Sequence, residues 1–246
     1  MQKYSVRHKR SDGFGSQFQN ILWCIIYSDL NGYTYIHRKI EDMEHNYDND
    51  SLFLNKIEEL MNIQNHYTIY NVNKNENITV LNDCLTIYPF IEKNIDICLK
   101  SNSMLRLKNI FWENKEKNHF KNGKINIAVH IRRQNQHDGR NARKEISDLY
   151  YLNVINYIRE KYSEKNIEFH IYSQGLIEKF KCYENKDTIF HLDESISNTF
   201  IGLVAADVLV TSSSSLSYIA AWLSDGKIYY QPFWHPPSKD WIICNY

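Results

Sequence analysis

The feature that most constrains this chain is the alternation of short apolar strands with amphipathic helices over residues 125–230. Runs of branched residues predict strands at 125–131, 167–172, 188–191, 208–211 and 227–230. Helical spacing predicts helices at 148–162, 175–180, 195–205 and 215–223. Strands and helices that alternate in this way form a mostly parallel sheet covered by helices on both faces. The second half of the chain is therefore predicted to be an α/β domain.

The first half opens with the same kind of unit. The pattern predicts a strand at 3–6, a polar loop at 7–15, a helix at 16–30 and a strand at 33–36. One face of that helix is apolar: Phe18, Ile21, Leu22, Ile25 and Ile26. Weaker signals predict helices at 52–61 and 103–111 and a strand at 78–81. A charged stretch at 115–123 is the best linker, so we expect domains at 1–120 and 121–246.

Charge and cysteine usage limit the classes of function. The 29 basic residues balance the 29 acidic residues, which disfavours a general polyanion or nucleic-acid binder and makes any phosphate site local. The five cysteines form no C-x-x-C pair and three lie in apolar runs, which favours reduced thiols. No signal-type apolar stretch and no run of 18 apolar residues is present. We therefore expect a cytoplasmic protein without a transmembrane segment.

Four polar clusters follow predicted strands, where ligands bind in open α/β sheets. The first contains Asp12, Gly13, Gly15 and Gln17, with two glycines that let a backbone approach a ligand. A tight turn explains the same pattern. The cluster also lacks the third glycine of a dinucleotide fingerprint.

The second cluster is His130-Ile131-Arg132-Arg133. Adjacent guanidinium groups at a strand end suit a phosphate, and the alternative is a solvated pair or an internal salt bridge. The third cluster, Ser173-Gln174-Gly175, can bind a nucleoside or cap a helix. The fourth, Thr211-Ser212-Ser213-Ser214-Ser215, places hydroxyls and amides at a helix N-terminus, which favours a phosphate site over a flexible linker.

Together these segments resemble the fucosyltransferase superfamily of α-1,2-, α-1,6- and protein O-fucosyltransferases. The resemblance is carried by GFGSQ at 13–17, HIRR at 130–133 and SSSSLSYIAAW at 212–222. The tail YYQPFWHPP at 229–237 is similar to that of small glycosyltransferase-like proteins of microbes and large viruses, which implies the cytoplasm of a microbe or of a virus-infected host cell. The chain departs from the family where Gln134-Asn135 follows the double arginine, and its first half is short.

The resemblance implies a GT-B-like α/β fold of two Rossmann-like halves with mostly parallel sheets, the N-terminal half reduced. It implies an inverting, metal-independent transfer from a nucleotide sugar, most typically GDP-fucose, to a glycan acceptor, with the active site between the halves. Arg132 would contact the donor diphosphate, assisted by Arg133, and Ser213, Ser214 and Ser215 would bind its β-phosphate. Ser173 and Gln174 take the place where the family binds the nucleoside. His130, Gly13, Gly15 and Gln17 complete the donor-binding set.

The chemistry also needs a base to take the proton of the acceptor hydroxyl. Asp138, Asp12 and Glu145 are the candidates, and Asp138 is preferred because it follows Arg133 in the same loop. No D-x-D motif or metal-ligand spacing occurs, so arginine is expected in place of a metal ion and no cofactor is expected. Another donor, such as UDP-xylose or GDP-rhamnose, and a non-catalytic nucleotide-sugar or glycan-binding module both stay open. Phosphoryl transfer is disfavoured because no G-x-x-x-x-G-K-[ST] segment is present.

Overall fold

The computed structural model describes residues 3–44, 46, 51–68, 77–133 and 145–245. The chain forms two compact units, Met1–Lys115 and Glu116–Tyr246. The division lies inside the charged stretch that the sequence marks as a linker, a few residues before the predicted boundary at 120.

The N-terminal unit contains a three-stranded parallel sheet in the order β2-β1-β3. The strands are β1 (Tyr4–Arg7), β2 (Thr34–Ile36) and β3 (Ile78–Leu81). Helix α1 (Phe14–Leu30) connects β1 to β2, and its five predicted apolar residues are fully buried. The strand–helix–strand opening predicted from the sequence is therefore confirmed. The helix begins two residues earlier than predicted, because Gly13, with extended φ and ψ, already occupies the N-cap position.

The described residues of this unit form five further helices: α2 (Ser51–Met61), α3 (Gln64–Tyr67), α4 (Tyr88–Lys93), α5 (Ile95–Leu99) and α6 (Asn102–Trp112). A π-helical turn, Asp83–Ile87, leads into α4. The sequence identified α2 and α6, which have 11 residues each, and missed the shorter helices. A helix of four to six residues shows too little of the 3.6-residue period to be recognised from the sequence.

The C-terminal unit contains a six-stranded parallel sheet in the order β6-β5-β4-β7-β8-β9. Its strands are β4 (Ile125–His130), β5 (Ile167–Ser173), β6 (Thr188–Leu192), β7 (Val208–Val210), β8 (Lys227–Tyr230) and β9 (Ile242–Ile243). The chain builds outward from β4 on one side and then from β7 on the other. This is the doubly wound Rossmann order, and its direction reverses between β4 and β7. The predicted α/β class with parallel sheets is thus confirmed.

Helices α7 (Asp148–Lys161), α8 (Ile196–Ala205) and α9 (Ser215–Leu223) alternate with the strands, and a 3-10 helix covers Ile177–Tyr183. Ser147, Ser195 and Ser214 cap the N-termini of the three α-helices. Ile127, Val129 and Ile131 lie in a buried core shared with Tyr151 and Val154 of α7. His130, one residue out of phase with that set, therefore faces the other side of the sheet.

One expectation for this unit was wrong. The helix expected at 175–180 is the 3-10 helix, which starts later because Gly175 has a φ of +106° that interrupts a helix. After the prolines at 232, 236 and 237, the chain forms β9, which pairs with β8. Within the described residues, no helix combines the length and the apolar character that crossing a bilayer requires.

Candidate functional site

Three of the four polar clusters meet at one edge of the C-terminal sheet. Strand β4 pairs in parallel with β5 on one side and with β7 on the other, so the segments that follow these strands emerge together. They are His130-Ile131-Arg132-Arg133 after β4, Ser173-Gln174-Gly175 after β5 and Thr211–215 after β7. The gap between β4 and β7 is the point where the strand order reverses, which is where ligands bind in doubly wound sheets.

A buried hydrogen bond joins the segment after β4 to the segment after β7. The Oγ of Ser212 lies 2.8 Å from Nδ1 of His130, and both residues are buried. Burial, followed by the positive charge of Arg132, lowers the pKa of His130 to about 3. The imidazole is therefore neutral at physiological pH. It positions the segment after β7, residues 211–215, which we call the serine turn, without adding charge.

Arg132 supplies positive charge at this edge. Its side chain is half-buried, and its charge is close enough to His130 to depress the pKa of the imidazole. A guanidinium near neutral polar groups at a strand end can donate two parallel hydrogen bonds to a phosphate. The structure thus brings Arg132 to the same edge as the serine turn.

Arg133 has a different environment. Its guanidinium pairs with Asp148 in the first turn of α7, lies 3.6 Å from Glu145 and donates to the carbonyl of Ile146 at 3.2 Å. Tyr183 donates its hydroxyl to the same Asp148 carboxylate. The internal salt bridge that the sequence left open is therefore the observed arrangement. The expected assistance of Arg133 to the diphosphate is corrected, because the β-type alternation turns this side chain toward α7.

The serine turn divides its hydroxyls between structure and solvent. Ser214 caps α9, accepting a hydrogen bond from the amide of Leu216 at 3.3 Å, and the amide of Ser212 donates to Ser217 Oγ at 3.1 Å. Ser213 and Ser215 are partly exposed, and their hydroxyls have no partner in the portion of the chain that the structure describes. These two hydroxyls lie at the positive end of the α9 dipole.

The cluster after β5 is partly committed to the fold. Ser173 donates its hydroxyl to the carbonyl of Ile131 at 2.6 Å, which ties the ends of β5 and β4 together. Gln174 is exposed at the same edge. The next amide, of Gly175, donates to the carboxylate of Asp193 at 3.1 Å. Of the two residues expected at a nucleoside, Gln174 is the one whose side chain faces solvent.

The N-terminal cluster belongs to the other unit, at the end of β1. Asp12 accepts hydrogen bonds from Arg10 and Ser16. Burial acts to raise the pKa of Asp12, but the bonds from Arg10 and Ser16 outweigh it and hold the pKa below its usual value. A carboxylate stabilised in this way is a weak proton acceptor, which argues against Asp12 as the base.

Gln17 and the glycines are also structural in this unit. Gln17 is fully buried and donates from Nε2 to the carbonyls of Asp12 and Asp42, at 2.8 Å in both cases. Gly13 is the N-cap of α1, and Gly15 lies within the first turn of the helix rather than in a loop. This differs from the predicted ligand-binding loop, since the side chain of Gln17 is used to fasten the loop itself.

A charged cluster that the sequence did not reveal lies beside Asp12. Arg10 also pairs with Asp83 at 2.5 Å and donates to the hydroxyl of Tyr88 at 3.0 Å. The other oxygen of Asp83 accepts from Asn20 Nδ2 at 2.7 Å. Asp83 follows β3, far from Arg10 in the sequence, so no local pattern could have connected them. Of the remaining candidate bases, Asp138 lies outside the described residues, and Glu145 is exposed beside Arg133.

No known family model and no curated protein sequence matches the chain. Several solved structures are similar at low sequence identity. NodZ α-1,6-fucosyltransferase co-crystallised with GDP is 12% identical, with a TM-score of 0.47 over 91% of this chain and 93% of that one. Fucosyltransferase NodZ from Bradyrhizobium gives the same identity and TM-score, covering 91% and 94%. Heptosyltransferase WaaC of E. coli, with ADP-2-deoxy-2-fluoro heptose, is 10% identical, with a TM-score of 0.44 over 98% and 92%.

Proposed function

We propose that this chain is a glycosyltransferase that uses a nucleotide-sugar donor and holds the donor diphosphate at the β4/β7 edge. The observation that carries the proposal is the 2.8 Å bond between His130 and Ser212. It brings the Arg132 segment and the serine turn to one place, the reversal point of a doubly wound sheet. Arginine, partly exposed hydroxyls and a helix N-terminus are all groups that bind phosphate.

These groups fit the charge that develops during glycosyl transfer. As the anomeric C–O bond breaks, negative charge grows on the departing nucleoside diphosphate. The Arg132 guanidinium, the Ser213 and Ser215 hydroxyls and the α9 dipole would stabilise that charge without rearranging. In this mechanism His130 stays neutral and fixes the turn. Because a permanent cation takes the role of a counter-ion, the proposed transfer is independent of metal.

The acceptor hydroxyl attacks the anomeric carbon from the opposite side in an inverting transfer, and its proton passes to a base. Asp138 remains the proposed base, since Asp12 is held in an ion pair with Arg10. GDP-fucose is the proposed donor on the sequence resemblance, with UDP-xylose and GDP-rhamnose as the alternatives. A glycan is the proposed acceptor. We place the reaction in the cytoplasm, where five unpaired cysteines would stay reduced.

The direct test is turnover of a panel of nucleotide sugars that includes GDP-fucose, with a glycan acceptor array. Arg132→Ala and Arg132→Lys should both lose nearly all activity, because lysine keeps the charge but not the two-pronged geometry. Arg159→Ala is the matched control, since Arg159 pairs with Asp187 at 2.9 Å, just before β6 and away from the carboxyl edge. A wild-type rate in either Arg132 variant would overturn the assignment of Arg132 to the diphosphate.

A binding-only protein is the second candidate. It is favoured because two of the candidate bases are next to arginines: Asp12 pairs with Arg10, and Glu145 lies beside Arg133. Such a protein would keep the phosphate site without the proton acceptor. Thermal-shift titration with GDP and UDP separates the two, because stabilisation without any product from the acceptor array supports binding alone.

A further inference from the structure

The aromatic segment after β8 is not used by the proposed diphosphate site. It contains Phe233 and Trp234, whose rings are stacked with centroids 4.0 Å apart and planes inclined by 30°. Trp234 is 52% exposed, although residues of its size are seldom this open in a folded chain. We call these two side chains the Phe233–Trp234 platform. About half of Trp234 is therefore accessible to a ligand.

Hydrogen bonds hold the backbone that directly follows the platform. The hydroxyl of Tyr218 donates to the carbonyl of Pro236 at 2.9 Å, and that of Tyr230 donates to the carbonyl of His235 at 2.5 Å. His235 is buried and stacks on Tyr218 with centroids 5.0 Å apart. Because the backbone is fixed by these contacts, a ligand that stacks on the platform would lose little affinity to ordering the protein.

The platform adjoins the serine turn. The amide of Gln231 donates to Thr211 Oγ1 at 3.0 Å, which joins the start of the aromatic segment to the start of the turn. The ring centroids of Phe233 and Tyr218 are 6.5 Å apart. The backbone amide of Tyr218 donates to the carbonyl of Ser214, within the turn. Strands β7 and β8 are parallel neighbours, so both segments emerge at the same edge of the sheet. The platform therefore lies at the same edge of the sheet as the proposed diphosphate site.

We propose that the Phe233–Trp234 platform binds the apolar face of a pyranose ring that lies beside the diphosphate. This rests on the proposed function and adds the sugar subsite to it. A pyranose presents a row of C–H groups on one face, and these are attracted to the negative face of an aromatic ring. The diphosphate at the β4/β7 gap separates the two ends of a donor. Gln174 at the end of β5 lies on one side and the platform, after β8, lies on the other.

Two other occupants fit less well. A protein partner needs about 800 Å² of surface on this side, far more than one ring pair offers. A nucleobase would stack equally well on an indole, but it also needs polar groups that match its edge, and Gln174 provides these on the β5 side. The sugar ring itself can belong to the donor or to the acceptor, and the experiment distinguishes these sources.

The test compares GDP, GDP-fucose and a glycan array as probes of Trp234→Ala, Trp234→Phe and wild type. Trp234→Ala should weaken the sugar-bearing probe by about threefold to tenfold, the range expected for one aromatic contact, and leave GDP unchanged. Trp234→Phe keeps an aromatic ring and should retain most of the affinity. Tyr157→Ala is the matched control, because Tyr157 is a half-exposed aromatic residue on α7. This variant should bind every probe with the affinity of wild type. A melting curve for each variant checks folding.

Each outcome decides the proposal. Loss of affinity for GDP-fucose assigns the platform to the donor sugar, and loss of array signal alone assigns it to the acceptor. Equal weakening of GDP means a nucleobase site and overturns the proposal, as does an unchanged Trp234→Ala or a wild type that binds no sugar-bearing probe. Arg132→Ala serves as the separate check on the proposed function. If it weakens GDP binding while Trp234→Ala changes nothing, only the platform fails.

Discussion

The carboxyl edges of the two sheets carry different sets of polar groups. In the N-terminal unit, Arg10 is met by two carboxylates, Asp12 and Asp83, so the cation is compensated within the fold. In the C-terminal unit, the groups between β4 and β7 are a neutral imidazole, serine hydroxyls and Arg132. The first edge pairs its arginine with two carboxylates, whereas the second carries hydroxyls and a guanidinium, which are groups that suit an anion. The same strand–helix architecture therefore carries different polar groups at the carboxyl edges of its two sheets.

The largest effect should come from Arg132. If the C-terminal edge binds the diphosphate, Arg132→Ala should lower kcat/KM by about a hundredfold to a thousandfold, the usual loss for one preorganised transition-state donor. Arg133→Ala should lower the rate far less and mainly reduce the melting temperature, because it releases Asp148. Steady-state kinetics and thermal melts of both variants test this. Equal losses of rate would mean that the two arginines act together after all.

The second effect concerns Arg10 in the N-terminal unit. Arg10→Ala leaves two partly buried carboxylates without their cation, so it should reduce the free energy of unfolding by about 2 kcal/mol. Urea denaturation measures the change. Lys9→Ala is the control, because Lys9 and Glu41 form an ion pair on the open surface and its loss should have no measurable effect. If Arg10→Ala were as stable as wild type, this edge would not be self-compensated as described.

The third effect is a pH dependence that originates at His130. Its pKa is about 3 in the folded chain and near 6.5 when unfolded, so the unfolded state binds the extra proton between these values. Stability should therefore fall as the pH drops below about 6.5. Chemical denaturation from pH 7 to pH 4 should show a shallower loss in His130→Gln than in wild type. Identical slopes in the two proteins would contradict the buried, neutral imidazole.

The smallest effects separate two neighbouring serines. Ser214→Ala removes the cap of α9 and should cost about 1 kcal/mol of stability. Ser213→Ala removes a hydroxyl without a described partner, so it should leave stability unchanged and reduce the transfer rate by about tenfold. Thermal melts and kinetics on the pair test the division. If Ser213→Ala were destabilising and fully active, that hydroxyl would belong to the fold.

The position of the polar clusters could be predicted because each follows a strand with a clear pattern. Residues 125–131 and 208–211 read as buried strands, and parallel strands bring their carboxyl ends to one edge. The contacts of each side chain could not be predicted in this way. Arg133 pairs with Asp148, 15 residues further along the chain, and Arg10 pairs with Asp83, which follows another strand. Local patterns describe one element at a time and carry no information about which distant carboxylate an arginine will meet.

The sequence by itself determined the α/β class, the parallel strands of the second half and the residues that stand at their ends. Hydrophobic periodicity is enough for this, because it records which face of each element is buried. Only the tertiary structure decided the order of the strands and the reversal between β4 and β7. It also decided the different surroundings of the two arginines, Arg132 near His130 and Arg133 beside Glu145. Strand order depends on how connections cross the sheet, and the alternation of side chains then sends adjacent residues to opposite faces.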